Sequence, residues 1–122
     1  MSNSILRDKA KNFAKNIVFL CRNMKAEHKE TVLINQLLRS GTSIGANIHE
    51  AQYAQGTKDF ISKFEIALKE ASETGYWLEL LYRTKYIDEQ TFKALSSKCT
   101  SLRVMLIASC KTAKENSNDG KK

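Results

Sequence analysis

The sequence predicts an all-α protein that folds as an antiparallel, up-down-up-down four-helix bundle. None of the 122 residues is proline, and because proline is the strongest helix breaker, its absence favours long uninterrupted helices. In four separate segments, apolar residues recur at intervals of three and four, the spacing that places them on one face of a helix. The segments between these rows are too short to cross the length of a helix, so consecutive helices must run antiparallel.

The first two helices follow from their apolar rows. The row of helix 1 consists of Leu6, Ala10, Phe13, Ile17, Leu20 and Met24. It predicts a helix over about residues 4 to 24. The row of helix 2 consists of Ile34, Leu37, Gly41, Ile44, Ile48 and Ala51. This row runs without a break through RSGTSIGANIHEA, residues 39 to 51, a stretch whose glycines and serines would otherwise suggest a loop. We therefore expect the stretch to be helical.

Helices 3 and 4 are predicted in the same way. The row of helix 3 consists of Phe60, Phe64, Leu68, Ala71, Gly75, Leu78 and Tyr82, and that of helix 4 of Phe92, Leu95, Cys99, Leu102, Leu106 and Ser109. Gly56 and Thr57 are the predicted stop of helix 2 and N-cap of helix 3. Asp88 is the predicted cap of helix 4, and Ile87 and Phe92 occupy the staple positions on either side of it.

Length and composition predict one soluble domain. The chain is 42% hydrophobic and 27% charged, and no apolar run approaches the roughly 18 residues that span a bilayer. We expect residues 1–115 to form the bundle and residues 116–122 to be a disordered polar tail. The N-terminal residues lack an apolar stretch followed by a small-residue cleavage site. The expected location is therefore the cytoplasm, without a membrane partner.

Residues for catalysis or metal binding are scarce. The only histidines are His28 and His49, and neither has a glutamate three residues before it, as the di-iron bundles require. The three cysteines, Cys21, Cys99 and Cys110, lie in or beside apolar rows without a CxxC spacing, which favours buried, reduced thiols. There is also no glycine-rich phosphate loop and no nucleophile elbow. We expect no catalytic residue, no metal and no cofactor.

Three helices carry more apolar residues than one bundle core can bury. The segments are IVFLC at residues 17–21, YWLELLY at residues 76–82 and VMLIASC at residues 104–110. A helix that is apolar all round is buried all round, so the surplus predicts a homo-oligomer. The predicted interface residues are Val18, Phe19, Trp77, Leu80 and Val104. The alternative is that they are single exposed apolar residues, which are common on protein surfaces.

The net charge of +7 is unevenly distributed along the chain. Residues 1–35 hold seven basic and three acidic side chains, residues 36–92 six and eight, and residues 93–122 seven and two. The excess positive charge therefore lies on helices 1 and 4. The basic side chains selected as a nucleic-acid-binding surface are Lys11, Lys15, Arg22, Lys29, Lys93, Lys111 and Lys114. The alternative is a solvated face that keeps the protein soluble.

A second, polar row lies beside the apolar row of helix 2. It consists of Gln36, Ser40, Ser43, Asn47 and Glu50. Gly41 and Gly45 add a surface with little bulk, although each glycine costs roughly 1 kcal/mol of helix propensity relative to alanine. The favoured interpretation is a close-packed contact with another helix or subunit. A ligand or nucleic-acid site that uses Arg39 and Asn47 is the alternative.

Two stretches resemble a known family. LRSGTSIGANIHEA, residues 38–51, and KDFISKFEIALKEASETGYWLELL, residues 58–81, are similar to the bacterial four-helix bundle proteins encoded in 23S ribosomal RNA intervening sequences. The resemblance covers nearly the whole chain. It implies a cytosolic homopentamer and kinship with the accessory variability protein of diversity-generating retroelements, which binds nucleic acid and a reverse transcriptase. The hallmark motif of that family corresponds to Arg39, Ser40, Ser43, Ile44, Ala46, Asn47 and Glu50. His49 departs from the pattern, which usually has alanine there.

These observations lead to two hypotheses of function. The first is a non-enzymatic, homo-oligomeric protein, a pentamer as the resemblance implies, that binds nucleic acid, RNA in preference to DNA, through the basic surface of helices 1 and 4. The second is a protein-interaction scaffold whose positive charge is incidental.

Overall fold

The described residues form four α-helices joined by short turns. The structure is a computed structural model that describes residues 2–28 and 30–120. Its helices are α1 (Ser2–Glu27), α2 (Val32–Ala51), α3 (Thr57–Arg83) and α4 (Glu89–Gly120). The stretch RSGTSIGANIHEA lies inside α2. The all-α fold class predicted from the apolar spacing is therefore confirmed.

Contacts between consecutive helices run in opposite directions along the chain, which makes each pair antiparallel. Between α2 and α3, Ser40 meets Thr74 while Glu50 meets Lys63. α3 and α4 pair Tyr82 with Phe92 at one end and Glu65 with Lys114 at the other. Each helix packs against its neighbours in sequence, and α4 closes the square against α1. The α1–α4 side is the most sparsely packed of the four.

The predicted apolar rows of α1, α2 and α4 form the core. All six row residues of α2 are buried, including Gly41. In α1, Leu20 at the edge of the row is half-buried, while the adjacent Cys21 is buried. In α4, Ser109 is half-buried and Cys110 takes the inner position. These shifts of one residue occur because 3.6 residues per turn slowly rotate a row with seven-residue repeats around a straight helix.

The predicted row of α3 was partly wrong. The buried residues of this helix are Phe64, Ala67, Ala71, Thr74, Leu78 and Leu81. Leu68, Gly75 and Tyr82 from the predicted row are only half-buried. The sequence is ambiguous here because small or polar residues, Ala67 and Thr74, face the core, while larger apolar residues lie beside them.

The predicted N-cap of α3 was wrong, whereas the predicted cap of α4 was correct. Thr57 was wrongly predicted as an N-cap, since it is the first residue of α3 and Gly56 precedes it as the cap without a side-chain bond. The Asp59 carboxylate instead accepts a hydrogen bond from the Gln55 N–H at 3.2 Å. Asp88 does cap α4, because its Oδ1 accepts the Thr91 N–H at 2.7 Å. This bond lowers the pKa of Asp88.

The polar segment that was expected to be a disordered tail continues α4. The helix extends through Gly120, so residues 116–120 are helical, and residues 121–122 lie outside the described residues. Adding a residue to an existing helix gains one hydrogen bond without a new nucleation cost. With no proline to stop it, α4 therefore continues past the buried Cys110.

The three cysteines are buried free thiols. The Cys21 Sγ lies 3.7 Å from the carbonyl oxygen of Ile34, and the Cys99 Sγ lies 3.2 Å from that of Ala71. Burial raises the pKa of each of these two thiols to about 11. Because the thiolate is the nucleophile, neither is reactive at neutral pH, and they act as small apolar side chains that also contact the backbone of a neighbouring helix.

α3 ends in a left-handed turn. Lys85 has a φ of 70°, and its N–H bonds to the Tyr82 carbonyl while the Tyr86 N–H bonds back to the Leu81 carbonyl at 2.8 Å. This pair of bonds is a Schellman motif, in which glycine is the preferred residue at the left-handed position. A lysine there carries a steric cost between its Cβ and the backbone.

Replacing this lysine should stabilise the protein. We expect Lys85→Gly to raise the free energy of unfolding by about 0.5 to 1 kcal/mol, since glycine adopts positive φ without a Cβ clash. Lys85→Ala, which keeps the Cβ, should leave it nearly unchanged. Urea denaturation followed by circular dichroism measures both, and an equal gain in the two variants would contradict the steric explanation.

Candidate functional site

A buried pair of hydroxyl groups joins α2 to α3 and includes Ser40 of the family motif. Ser40 and Thr74 are both fully buried, with 0% exposure, and their hydroxyl oxygens are 2.9 Å apart. The Thr74 hydroxyl also lies 2.7 Å from the Glu70 carbonyl, and the Ser40 hydroxyl 3.4 Å from the Leu37 carbonyl. One proton is shared between the two oxygens and the other is donated to a carbonyl of its own helix, so neither hydroxyl is unsatisfied.

Arg39, the residue before Ser40, binds two carboxylates of α3. Its Nη1 is 3.1 Å from Glu70 Oε2, and its Nη2 donates to Glu73. Trp77 also donates its indole N–H to Glu73 at 3.1 Å. The Trp77 hydrogen bond first, and then Arg39, lower the pKa of Glu73. Since the folded pKa lies below the unfolded one, this stabilisation is present at neutral pH and is lost only as the pH falls through the folded value.

The other motif residues make bonds along the outer edge of α2. Glu50 pairs with Lys63 of α3 at 3.5 Å. Ser43 Oγ donates to the Arg39 carbonyl at 2.6 Å, and Asn47 Nδ2 donates to the Ser43 carbonyl at 2.9 Å. Arg39, Ser40 and Glu50 therefore contact α3, whereas Ser43 and Asn47 bond within their own helix. These contacts hold α2 against α3, and the two charged residues of the motif, Arg39 and Glu50, are paired with side chains of the same chain.

The two glycines of the stretch RSGTSIGANIHEA, Gly41 and Gly45, face α1. A Cβ on Gly41 would lie 3.0 Å from both Cγ atoms of Ile17, and one on Gly45 would lie 3.5 Å from the Ala10 carbonyl oxygen. The first distance is too short for a relaxed contact, while the second is ordinary van der Waals contact. Only Gly41 is therefore required by close packing of the two helices.

Alanine substitutions should distinguish the roles of the two glycines in packing. We expect Gly41→Ala to lower the free energy of unfolding, because an overpacking cost of about 1 to 3 kcal/mol exceeds the roughly 1 kcal/mol gained in helix propensity. Gly45→Ala, the matched control, should be stabilising by up to about 1 kcal/mol. Chemical denaturation measures the difference. If both variants are stabilised equally, Ile17 moves aside freely and Gly41 is not a packing requirement.

The basic side chains selected from the sequence lie on the outside of two neighbouring helices. Lys11, Lys15 and Arg22 are exposed on α1. On α4, Lys93 pairs with Glu89 at 3.3 Å, Lys114 pairs with Glu65 at 3.0 Å, and Lys111 is exposed. Lys29 lies outside the described residues. The ion pairs partly neutralise the α4 row, whereas the three residues of α1 form the better exposed group.

The arrangement of the helices adds a feature that the single rows do not show. Residues 9–26 of α1 and residues 90–114 of α4 contain no aspartate or glutamate, and each segment holds five basic side chains. The two segments are adjacent because α1 packs against α4. One side of the bundle is therefore cationic over most of its length. Arg39 and Lys63 pair with acidic side chains between α2 and α3, and Glu65 at the edge of α3 pairs with Lys114 of α4.

Two of the residues on this cationic side were missed in the sequence. Lys9 and Lys98 line a cavity between α1 and α4, together with Asn12, Ser97 and Ser101. Neither lysine belongs to a row of basic residues, so a search along single helices does not select them. The signal that identifies them is the pairing of two acid-free segments across one groove.

The residues expected in a subunit interface differ in exposure. Phe19 is 49% and Val104 61% exposed. Val18, Trp77 and Leu80 are half-buried, and Trp77 packs against the core of its own chain. These residues lie on three different helices, and the structure contains one chain, so their role in assembly stays a prediction.

Over residues 2–28 and 30–120, no group of three or more histidine, cysteine or acidic side chains is placed to hold a metal ion. In the same part of the chain, none of the helices combines the length and apolar character needed to cross a membrane. A cavity of about 940 Å³ opens at the end of the bundle beside Arg7, Phe60 and Asn116.

The fold and the charge distribution define a class of protein: a four-helix bundle with one cationic side and an internally paired polar motif. The chain belongs to the 23S rRNA-intervening sequence protein family, whose model matches residues 2–108. This confirms the resemblance drawn from the two sequence stretches.

A solved structure supports the same assignment. The chain is 49% identical to a protein with unknown function from the S23 ribosomal protein family of Bacteroides thetaiotaomicron VPI-5482, whose crystal structure was determined at 1.70 Å resolution. The TM-score is 0.89, and the match covers 91% of this chain and 99% of the other. The comparison with curated proteins finds no match.

Proposed function

We propose that this protein is a non-enzymatic, homo-oligomeric four-helix bundle that binds nucleic acid, RNA in preference to DNA, through the cationic side formed by α1 and α4. The observation that carries the proposal is the juxtaposition of two acid-free segments with five basic side chains each. A polyanion with closely spaced phosphates gains affinity by releasing counterions when such side chains approach it.

The charge distribution within the fold supports this proposal over incidental basicity. The basic side chain of Arg39 and its partners on α3 are used within the chain, whereas Lys11, Lys15 and Arg22 are exposed on a helix segment, residues 9–26, that contains no acidic residue. A charge excess needed only for solubility would not require segregation to one side. The proposed location is the cytoplasm, and a reverse transcriptase is a further proposed partner because of the family resemblance.

A salt series tests nucleic-acid binding. We expect the affinity for a fluorescently labelled RNA to fall steeply with salt, and the triple variant Lys11→Glu, Lys15→Glu, Arg22→Glu to reduce the slope of log affinity against log salt by roughly 2 to 3, since each lost phosphate contact removes about 0.7 to 0.9. The matched control changes two lysines and one arginine of α3, Lys58, Lys69 and Arg83, to glutamate. Negligible binding at low ionic strength would instead favour a protein-interaction scaffold.

The proposed oligomer, a pentamer by family resemblance, repeats this cationic side in each subunit. We expect light scattering to give a mass of about 69 kDa, five times the 13.8 kDa of one chain. Val104→Glu should dissociate the oligomer, because it introduces a charge at an apolar position that is 61% exposed in the single chain. Val32→Glu, at a 68% exposed position outside the predicted interface, is the control. A wild-type mass near 13.8 kDa would rule out assembly.

A further inference from the structure

The groove between α1 and α4 combines basic and hydrogen-bonding side chains. Its central cavity has a volume of about 330 Å³, with walls formed by Lys9 and Asn12 of α1 and by Ser97, Lys98 and Ser101 of α4. Phe13 and Leu102 line it as well, and both belong to the core. The groove thus has basic and polar side chains on its walls and apolar core side chains at its base.

A row of amides continues the groove along α1. Asn12, Asn16, Phe19 and Asn23 follow one another at intervals of four, three and four, which places them along one edge of the helix. Asn12 lines the central cavity, and Asn23 lines the next cleft, together with Thr91 of α4. The row from Asn12 to Asn23 is about 16 Å long at 1.5 Å per residue.

These amides differ from the asparagine of the motif. Asn47 is used within its own helix, where it donates to the Ser43 carbonyl. Within the described part of the chain, the side chains of Asn12, Asn16 and Asn23 make no hydrogen bond to another protein group. Amides that carry both donors and acceptors are able to bond with the edges of nucleobases.

Phe19 adds an exposed aromatic ring to the same row. Its side chain is 49% exposed, and the Arg22 guanidinium carbon lies 5.8 Å from the centre of the ring. An aromatic ring beside a guanidinium group in a cationic groove is a surface on which unpaired bases stack. A duplex, whose bases are already stacked, would use the lysines but not the ring, and the deep, narrow major groove of A-form RNA keeps its base edges away from the amides.

From this arrangement, and given the proposed nucleic-acid binding, we infer that the α1–α4 groove selects single-stranded over double-stranded nucleic acid. Lys9 and Lys98 bind the phosphates. Phe19 stacks on a base, and the amides of Asn12 and Asn16 bond to the base edges. The selectivity follows because only an unpaired strand has bases that are free to stack on Phe19 and to bond with the amides.

Fluorescence anisotropy with the full-length protein tests the inference, using a labelled RNA of about 12 nucleotides and the blunt duplex of the same sequence. We expect the single strand to bind at least about tenfold more tightly than the duplex. Phe19→Ala should weaken single-strand binding by about tenfold or more, the effect of losing one stacked base, and leave duplex binding unchanged. The control is Ile107→Ala on α4, where the side chain is also 49% exposed.

The outcomes separate this inference from the proposed function. Equal affinity for strand and duplex, with no effect of Phe19→Ala, would overturn the strand selectivity but leave nucleic-acid binding intact. If neither RNA form binds at low salt, the proposed function itself fails. Phe19 was also predicted in a subunit interface, so the mass of the Phe19→Ala variant is measured as well. A fall in that mass would assign the ring to a second copy of this chain and overturn its role in stacking.

Discussion

The packing of α2 between two helices is the constraint on which the rest of the structure depends. Two consecutive residues provide it: Gly41 permits the close approach of Ile17 on α1, and Ser40 makes the buried bond with Thr74 on α3. Because these neighbours in sequence point to different helices, the rotation of α2 about its axis is fixed by both contacts at once. The glycine and the serine therefore specify the geometry of three helices, and α4 is added against α3.

The separation of charge follows from this geometry. α2 and α3 meet through a network in which Arg39 pairs with both Glu70 and Glu73. α1 and α4 meet less closely, and their basic side chains have few acidic groups to pair with. The cationic side is therefore formed by α1 and α4 together. The groove between these two helices is open because they pack less closely than the other neighbouring helices.

Much of the fold could be predicted from the sequence, because the absence of proline and the spacing of apolar residues act over whole helices. The errors were local. Ala67 and Thr74 face the core although larger apolar residues lie beside them, and Thr57 begins its helix instead of capping it, since such details depend on packing across helices. The candidate site was less predictable: Lys9 and Lys98 join one cavity only when two distant segments are brought together.

The buried bond between Ser40 and Thr74 lies on the opposite half of the bundle from the cationic groove. Substitutions along the exposed edges of α1 and α4 can therefore change the charge of that side without removing the contacts that determine the fold. The side chains of Ser40 and Ile17 that fix the packing of α2 are inside the bundle, whereas the basic side chains of α1 and α4 are largely on its outside. In terms of tolerance to substitution, the packed frame and the charged surface can be altered independently of each other.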